Sequence, residues 1–216
     1  MKLVLFSDRI YALEINTQTI DLIGKTQPTI GYISSSPDPS RQYYEQTKQY
    51  YARMGANFTP YLDLESGFDR GHIDRVFQAD AIHLSGGNTY RFYYWIIQRR
   101  LKQRLLDYAR SGRVIIGVSA GAIIMTPDIS YAEFCGDCND VDLQELKGLG
   151  LVDFCFVPHA EDSLVAQNIF AKSRQDNSKV LVAGDSDYIV VKDSEIQVYG
   201  QPKLLVNGGM IDSKYI

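Results

Sequence analysis

The segment Gly117-Val118-Ser119-Ala120-Gly121 reads Gly-x-Ser-x-Gly. The apolar run Val114-Ile115-Ile116 precedes it, and Ala122-Ile123-Ile124-Met125 follows it. A buried strand, a sharp turn at serine and a helix start together make a nucleophile elbow. The turn holds the serine in a strained backbone conformation, and its hydroxyl projects at the end of the sheet. Small residues two before and two after it, Gly117 and Gly121, let neighbouring backbone pass close by. The N-terminus of the following helix carries unpaired N–H groups and a partial positive charge. The Ala120 N–H is therefore placed to hold an oxyanion. A glycine-rich turn that merely joins strand to helix is the plainer alternative; the flanking runs favour the elbow.

A serine nucleophile needs a base, usually histidine. The chain has three histidines. His72 lies in Gly71-His72-Ile73-Asp74, a loop or the start of a surface helix. His83 lies inside the apolar run Ala81-Ile82-His83-Leu84 and reads as a satisfied core histidine. His159 follows Phe154-Cys155-Phe156-Val157-Pro158, where a buried strand ends. That places it at the sheet edge where the elbow also opens. Ser85-Gly86-Gly87-Asn88 closes another buried strand before a helix. Paired glycines there let backbone N–H groups approach a bound group, as in an oxyanion hole or a phosphate nest. Gly86 and Asn88 would then contact substrate, although Asn88 or Thr89 also suits a helix cap.

These motifs resemble the peptidase E family of serine peptidases, with the cyanophycinases as more distant relatives. The resemblance rests on Gly-x-Ser-Ala-Gly-Ala at 117–122, Ser-Gly-Gly-Asn-Thr at 85–89, and Gly148-Leu149-Gly150-Leu151 followed by Pro158-His159. It implies a fold similar to class I glutamine amidotransferases, with serine in place of their cysteine. It implies Ser119 as nucleophile, His159 as general base, and the N–H groups of Gly87 and Ala120 as the oxyanion hole. The family also uses an acid between serine and histidine to orient the imidazole. Asp128, Glu133, Asp137, Asp140 and Asp142 fall in that interval; Asp137 is favoured, then Glu133 and Asp140. Peptidase E resembles an exopeptidase for dipeptides beginning with aspartate, and reading that side chain calls for arginine. Residues 160–168 hold no arginine and two acids, Glu161 and Asp162, and Lys172 is the first basic residue after His159. Small peptides are thus the expected substrate class, with the aspartate preference left open. Ser119 and His159 work without a cofactor.

Two other chemistries compete. Cys135, Cys138, Cys155 and His159 form C-x2-C-x16-C-x3-H, a spacing open to structural zinc. In that reading His159 is a ligand and the protein a binding module. Against it, Cys155 sits in a strand-like run and reads as a small core hydrophobe. An esterase of the α/β-hydrolase type also has an elbow. However, 216 residues is short for one, and no HGGG-type loop follows an early strand.

The elements that must position these residues follow from hydrophobic pattern. Apolar runs of strand length fall at 3–6, 29–34, 57–62, 79–84, 114–118, 152–157, 180–183 and 188–191. Several are apolar on consecutive positions, as in strands buried on both faces. Helical patterns cover 41–54, 89–110 and 164–173. Within 41–54, Tyr43, Thr47, Tyr50, Tyr51 and Met54 share one face, and Gly55 stops the helix. The alternation predicts an α/β doubly wound, mostly parallel sheet with helices on both faces. Runs at 188–192, 195–199 and 203–206 predict a short antiparallel meander at the C-terminus. In such sheets ligands bind beyond the carboxyl ends of the strands. That rule selects Ser34-Ser35-Ser36, Ser85-Gly86-Gly87-Asn88, Ser119-Ala120-Gly121 and His159.

Composition sets the limits. Hydrophobic residues make up 45% and charged residues 22%, enough apolar material for a core without disulfides. One domain over 1–216 is expected. A net charge of −4 argues against a general attraction to nucleic acid or anionic membrane. Leu3-Val4-Leu5-Phe6 before Ser7-Asp8-Arg9 is too short for a signal core. Three cysteines suit reduced thiols. A cytoplasmic protein is expected. The aromatic segment 89–97, with Tyr90, Phe92, Tyr93, Tyr94 and Trp95, is read as a self-association face, with a homodimer as the expected assembly.

Overall fold

The computed structural model describes residues 1–8, 13–160, 163–193, 195–206 and 209–212. Glu161 and Asp162, the acids noted after His159, lie outside the described residues. The described elements follow one another as β1 (Lys2–Phe6), α1 (Leu13–Ile23), β2 (Thr29–Ile33), α2 (Gln42–Ala52), β3 (Asn57–Phe58), α3 (Arg70–Gln78), β4 (Ala81–Leu84), α4 (Thr89–Gln98), α5 (Lys102–Arg110), β5 (Val114–Val118) and α6 (Ala120–Ile123). A 3-10 turn spans Ser130–Cys135. Then come β6 (Cys155–Val157), α7 (Ser163–Asp176), β7 (Val180–Val182), β8 (Tyr188–Lys192), β9 (Glu195–Tyr199), β10 (Lys203–Val206) and β11 (Gly209–Asp212).

Seven strands form the main sheet in the order β3-β2-β4-β5-β1-β8-β9. Strands β3, β2, β4, β5 and β1 run parallel; β8 and β9 are added antiparallel. Consecutive apolar residues in β1 divide between two cores. Leu3 and Leu5 pack into one cluster, Val4 and Phe6 into another on the opposite face. Helices α3, α4, α5 and α6 supply the first cluster, and α1 and α2 the second. This is the α/β architecture that the sequence pattern predicts, because a strand covered on both sides has no polar face.

A second sheet of four strands, in the order β11-β10-β7-β6, corrects the predicted meander. Only β8 and β9 continue in the main sheet; β10 crosses to pair with β7. The turn between them is fixed by the buried Asp187. Its carboxylate accepts the N–H of Gln201 at 2.8 Å, beside Gly200 at φ 89°. The predicted long helix over 89–110 is two helices. Arg100 takes a left-handed φ of 57°. Its N–H bonds the Ile97 carbonyl, and the Leu101 N–H bonds that of Ile96, both at 2.9 Å. This is a Schellman stop built without the usual glycine. It is held by Leu101, which is buried in the core.

Helix α2 also differs in phase. Tyr44, Thr47, Tyr50 and Tyr51 are buried, while Tyr43 is 65% exposed. The aromatic rings of α4 are used within the chain: Tyr90, Phe92 and Tyr93 are buried, and Tyr94 and Trp95 pack on the same core. No helix among the described residues is long and apolar enough to cross a membrane.

Candidate active site

Ser119 follows β5 immediately and precedes α6. Its φ of 50° and ψ of −111° are unusual for a residue with a side chain. The surroundings enforce that conformation. The Ser119 N–H is held by the Phe6 carbonyl at 2.9 Å, and its carbonyl accepts from Ala122 and Ile123 at 2.9 Å each. The Gly121 N–H bonds the Ser85 carbonyl at 3.1 Å. A Cβ on Gly117 would collide with the backbone of Gly121, and one on Gly121 with the carbonyl of Leu84. Both glycines are therefore required by close backbone approach. Among the donors of this turn, the Ala120 N–H has no acceptor within the described residues.

The Ser119 hydroxyl lies 3.0 Å from His159 Nε2. The other ring nitrogen, Nδ1, lies 2.5 Å from Asp185 Oδ1. The serine, imidazole and carboxylate thus form one connected chain. His159 itself sits at φ 59°. Its N–H donates to Ser7 Oγ at 2.9 Å, and the Ser7 N–H donates to the Asp187 carbonyl at 3.1 Å. Asp187 also closes the loop bearing Asp185, accepting the Gly184 N–H at 2.9 Å.

Asp185 occupies the place that the sequence reading gave to Asp137. Asp137 instead accepts the Thr89 N–H at 2.8 Å, at the start of α4. Burial raises its pKa above the ordinary carboxylate value. The other acids of the interval have local duties. Asp128 accepts from Ser130 N–H, Asp140 pairs with Arg91, and Asp142 accepts from the Gln144 amide. Glu133 is exposed on the 3-10 turn. Asp185 follows His159 in the chain and so lies outside the interval between serine and histidine that the resemblance implies for the acid. The strand-end rule that picked His159 also picks Asp185, three residues beyond β7.

Gly87 takes φ 135°, and a Cβ there would collide with Ser35 Oγ. Gly86 and Gly87 both line a cavity of about 440 Å³ that contains Ser119 and His159. Asn88, expected at the substrate, uses both ends of its amide on the protein. Its oxygen caps α4 through the Arg91 N–H at 2.9 Å, and its nitrogen donates to the Cys138 carbonyl at 2.8 Å. The cavity lies beyond the ends of β2, β4 and β5. Chain from β2 passes outward to β3 while chain from β4 passes inward to β5, so this is a topological switch point. His83 is buried in the cavity wall, with Nδ1 3.0 Å from the Tyr51 hydroxyl and its ring stacked on Tyr32. This is the satisfied core histidine expected. His72 stands in the first turn of α3, its N–H capped by Asp69.

The cysteine-rich alternative fails on geometry. Cys155 is buried with Val157 and Ile169, Cys135 donates to the Pro158 carbonyl at 3.4 Å, and Cys138 is exposed. The two nitrogens of His159 face Ser119 and Asp185. No three cysteine, histidine or acidic side chains converge as metal ligands among the described residues. Burial pushes the Cys135 and Cys155 thiols up to about 12, which keeps them protonated.

Residues 4–199 match Peptidase family S51. An uncharacterized peptidase of Listeria innocua is 30% identical over 159 residues, covering 71% of this chain and 75% of the relative. A peptidase E of Nostoc is 23% identical over 194 residues, covering 83% and 76%. A solved protein structure from Listeria monocytogenes shares the fold, with a TM-score of 0.74 at 22% identity over 92% of this chain and 97% of that one.

Proposed function

Because this chain belongs to peptidase family S51, a family of serine-type peptidases, we propose that it hydrolyses small peptides through an acyl-enzyme on Ser119. The observation that carries this reading is the connected set Ser119 Oγ, His159 and Asp185, with the serine on a strained elbow. In the first half-reaction, Ser119 Oγ attacks the scissile carbonyl carbon as His159 Nε2 takes its proton. Asp185 accepts the hydrogen bond from Nδ1–H, fixes the tautomer and stabilises the imidazolium. The N–H groups of Gly87 and Ala120 hold the oxyanion of the tetrahedral intermediate. As that intermediate collapses, the carbon–nitrogen bond breaks and His159 protonates the leaving amine. In the second half-reaction, His159 removes a proton from water, the hydroxide adds to the ester, and Ser119 leaves with that proton. No step calls on a metal or an organic cofactor. We place the activity in the cytoplasm, on one domain.

The test is labelling by a fluorophosphonate probe. The parent protein is expected to label, and S119A and H159A to lose labelling. Labelling that persists in S119A would remove the serine from this role.

A further inference from the structure

We propose that the cleft beside Ser119 selects peptides whose acyl-side residue carries a positively charged side chain, and turns away an acidic one. This inference rests on the reading of Ser119 as the nucleophile. The acyl-side residue is the one whose carbonyl Ser119 attacks, so its side chain must enter the cavity next to that hydroxyl. That cavity, of about 440 Å³, has room for one large side chain.

Its polar lining is turned toward cations. Among the described residues that line it, the formal charges are the carboxylates of Asp8 and Asp38, with no lysine or arginine. Four of the lining hydroxyls, those of Ser34, Ser35, Thr47 and Ser85, donate to backbone carbonyls. Ser34 donates to Ser36 at 2.7 Å, Thr47 to Tyr43 at 2.7 Å, Ser35 to Gly86 at 2.5 Å, and Ser85 to the same carbonyl at 3.1 Å. A hydroxyl has one proton and two lone pairs, so a hydroxyl that already donates meets a ligand as an acceptor. A carboxylate needs donors; an ammonium or guanidinium needs acceptors.

Asp38 is the anchor. Its Oδ1 accepts the Ser40 hydroxyl at 2.6 Å and its Oδ2 the Tyr43 N–H at 3.2 Å. Both donors are neutral, so the carboxylate is held in place without its charge being cancelled. Among the described residues it has no ion-pair partner. Arg41, close in sequence, stacks over the Tyr61 ring at 5.3 Å and is not part of the lining. Pro37, Pro39, Tyr32 and Tyr43 add apolar and aromatic surface to the same lining. They suit the methylene stem of a lysine-like side chain whose head reaches the carboxylate. Aromatic faces add to the attraction of a cation.

The experiment uses the full chain and a set of aminoacyl anilides that differ only in the acyl residue. kcat/KM for lysine is expected to exceed that for leucine, and to exceed that for aspartate at least about tenfold, since like charges in a cleft repel strongly. D38N, whose amide oxygen can still accept the Tyr43 N–H, is expected to narrow the lysine-to-aspartate ratio several-fold. A ratio measured on one preparation cancels any loss of folded protein. Raising the salt concentration is expected to narrow the ratio in the parent as well. A series led by aspartate or leucine, or a ratio unmoved by D38N, would overturn the proposal. Fluorophosphonate labelling of the same parent preparation separates the two failures. Labelling with the wrong preference sinks the specificity alone; absence of labelling sinks the nucleophile and the specificity together.

Discussion

The serine and its histidine–aspartate partners come from two differently built regions. Ser119 stands at the end of a central parallel strand, and its conformation is set within a few residues by Gly117, Gly121 and the first turn of α6. His159 and Asp185 stand in the smaller sheet, beyond two neighbouring parallel strands. There Val157 of β6 is in register with Val182 of β7. A local steric device thus aims the serine, while strand register brings the other pair together. The two regions share one apolar cluster, in which Phe156 and Leu181 pack with Leu3 and Leu5, and a few hydrogen bonds cross between them. Ser7, at the end of β1, accepts from His159 N–H and donates to the Asp187 carbonyl. The lesson is that the serine belongs to a motif and its partners to the fold.

The largest effect should come from the two residues that meet across this divide. S119A and H159A are each expected to lower kcat/KM by on the order of 10⁴-fold or more. The double variant should lose no more than either single one, because residues that act as a unit are not additive. Steady-state hydrolysis of a dipeptide checks this. Additive losses would mean that serine and histidine act separately.

The next comparison sets Asp185 against Asp137. D185N is expected to reduce kcat by on the order of 10³-fold, since Nδ1 loses the acceptor that fixes the tautomer. D137N keeps an acceptor for the Thr89 N–H and is expected to change kcat less than tenfold. It should leave a mark on stability instead. Burial raises the folded pKa of Asp137, so its contribution is fully present below the unfolded pKa and is lost as pH rises through the folded value. D137N removes that loss. Measured by urea unfolding, the variant's stability relative to the parent should improve between pH 4 and pH 8. A large kcat loss in D137N with little in D185N would return the orienting role to Asp137.

These outcomes track what was legible in the chain. The elbow was readable because its requirements are local: two glycines, one serine and apolar flanks. The parallel sheet was readable because strands buried on both faces carry no alternation. Asp185 was only half readable: the strand-end rule selects it, but nothing local sets it apart from Asp187 two residues on. Its meaning appears only when β7 lies beside β6. The break after α4 was hidden for a related reason. A left-handed stop usually shows a glycine, and here burial of Leu101 holds Arg100 in that conformation. The crossing of β10 was hidden because the buried Asp187 that pins the turn is 14 residues away.

The joint between the regions should give a smaller effect. S7A removes the hydroxyl that accepts the His159 N–H, while Asp185 and Ser119 remain. Loss of one such bond costs roughly 1 kcal/mol. A fall in kcat of about fivefold to tenfold is expected, with KM nearly unchanged, because the imidazole drifts and the cleft does not. A fall in KM-dependent terms alone would place Ser7 in binding rather than in positioning the base.

The smallest effect on rate distinguishes buried from exposed sulfur. Burial pushes Cys135 and Cys155 up to about 12, so at pH 8 only about 10⁻⁴ of either is thiolate, and thiolate is the reactive form. Cys138 is exposed. Iodoacetamide at pH 8 should therefore add one group per folded chain, on Cys138, and three after unfolding. Because the Cys138 carbonyl, not its sulfur, receives the Asn88 amide, the alkylated protein should retain its hydrolytic rate within about twofold. Fast labelling of Cys135 in the folded protein would mean that the segment under His159 opens readily. The smaller sheet would then be a mobile partner to the elbow and not a fixed one.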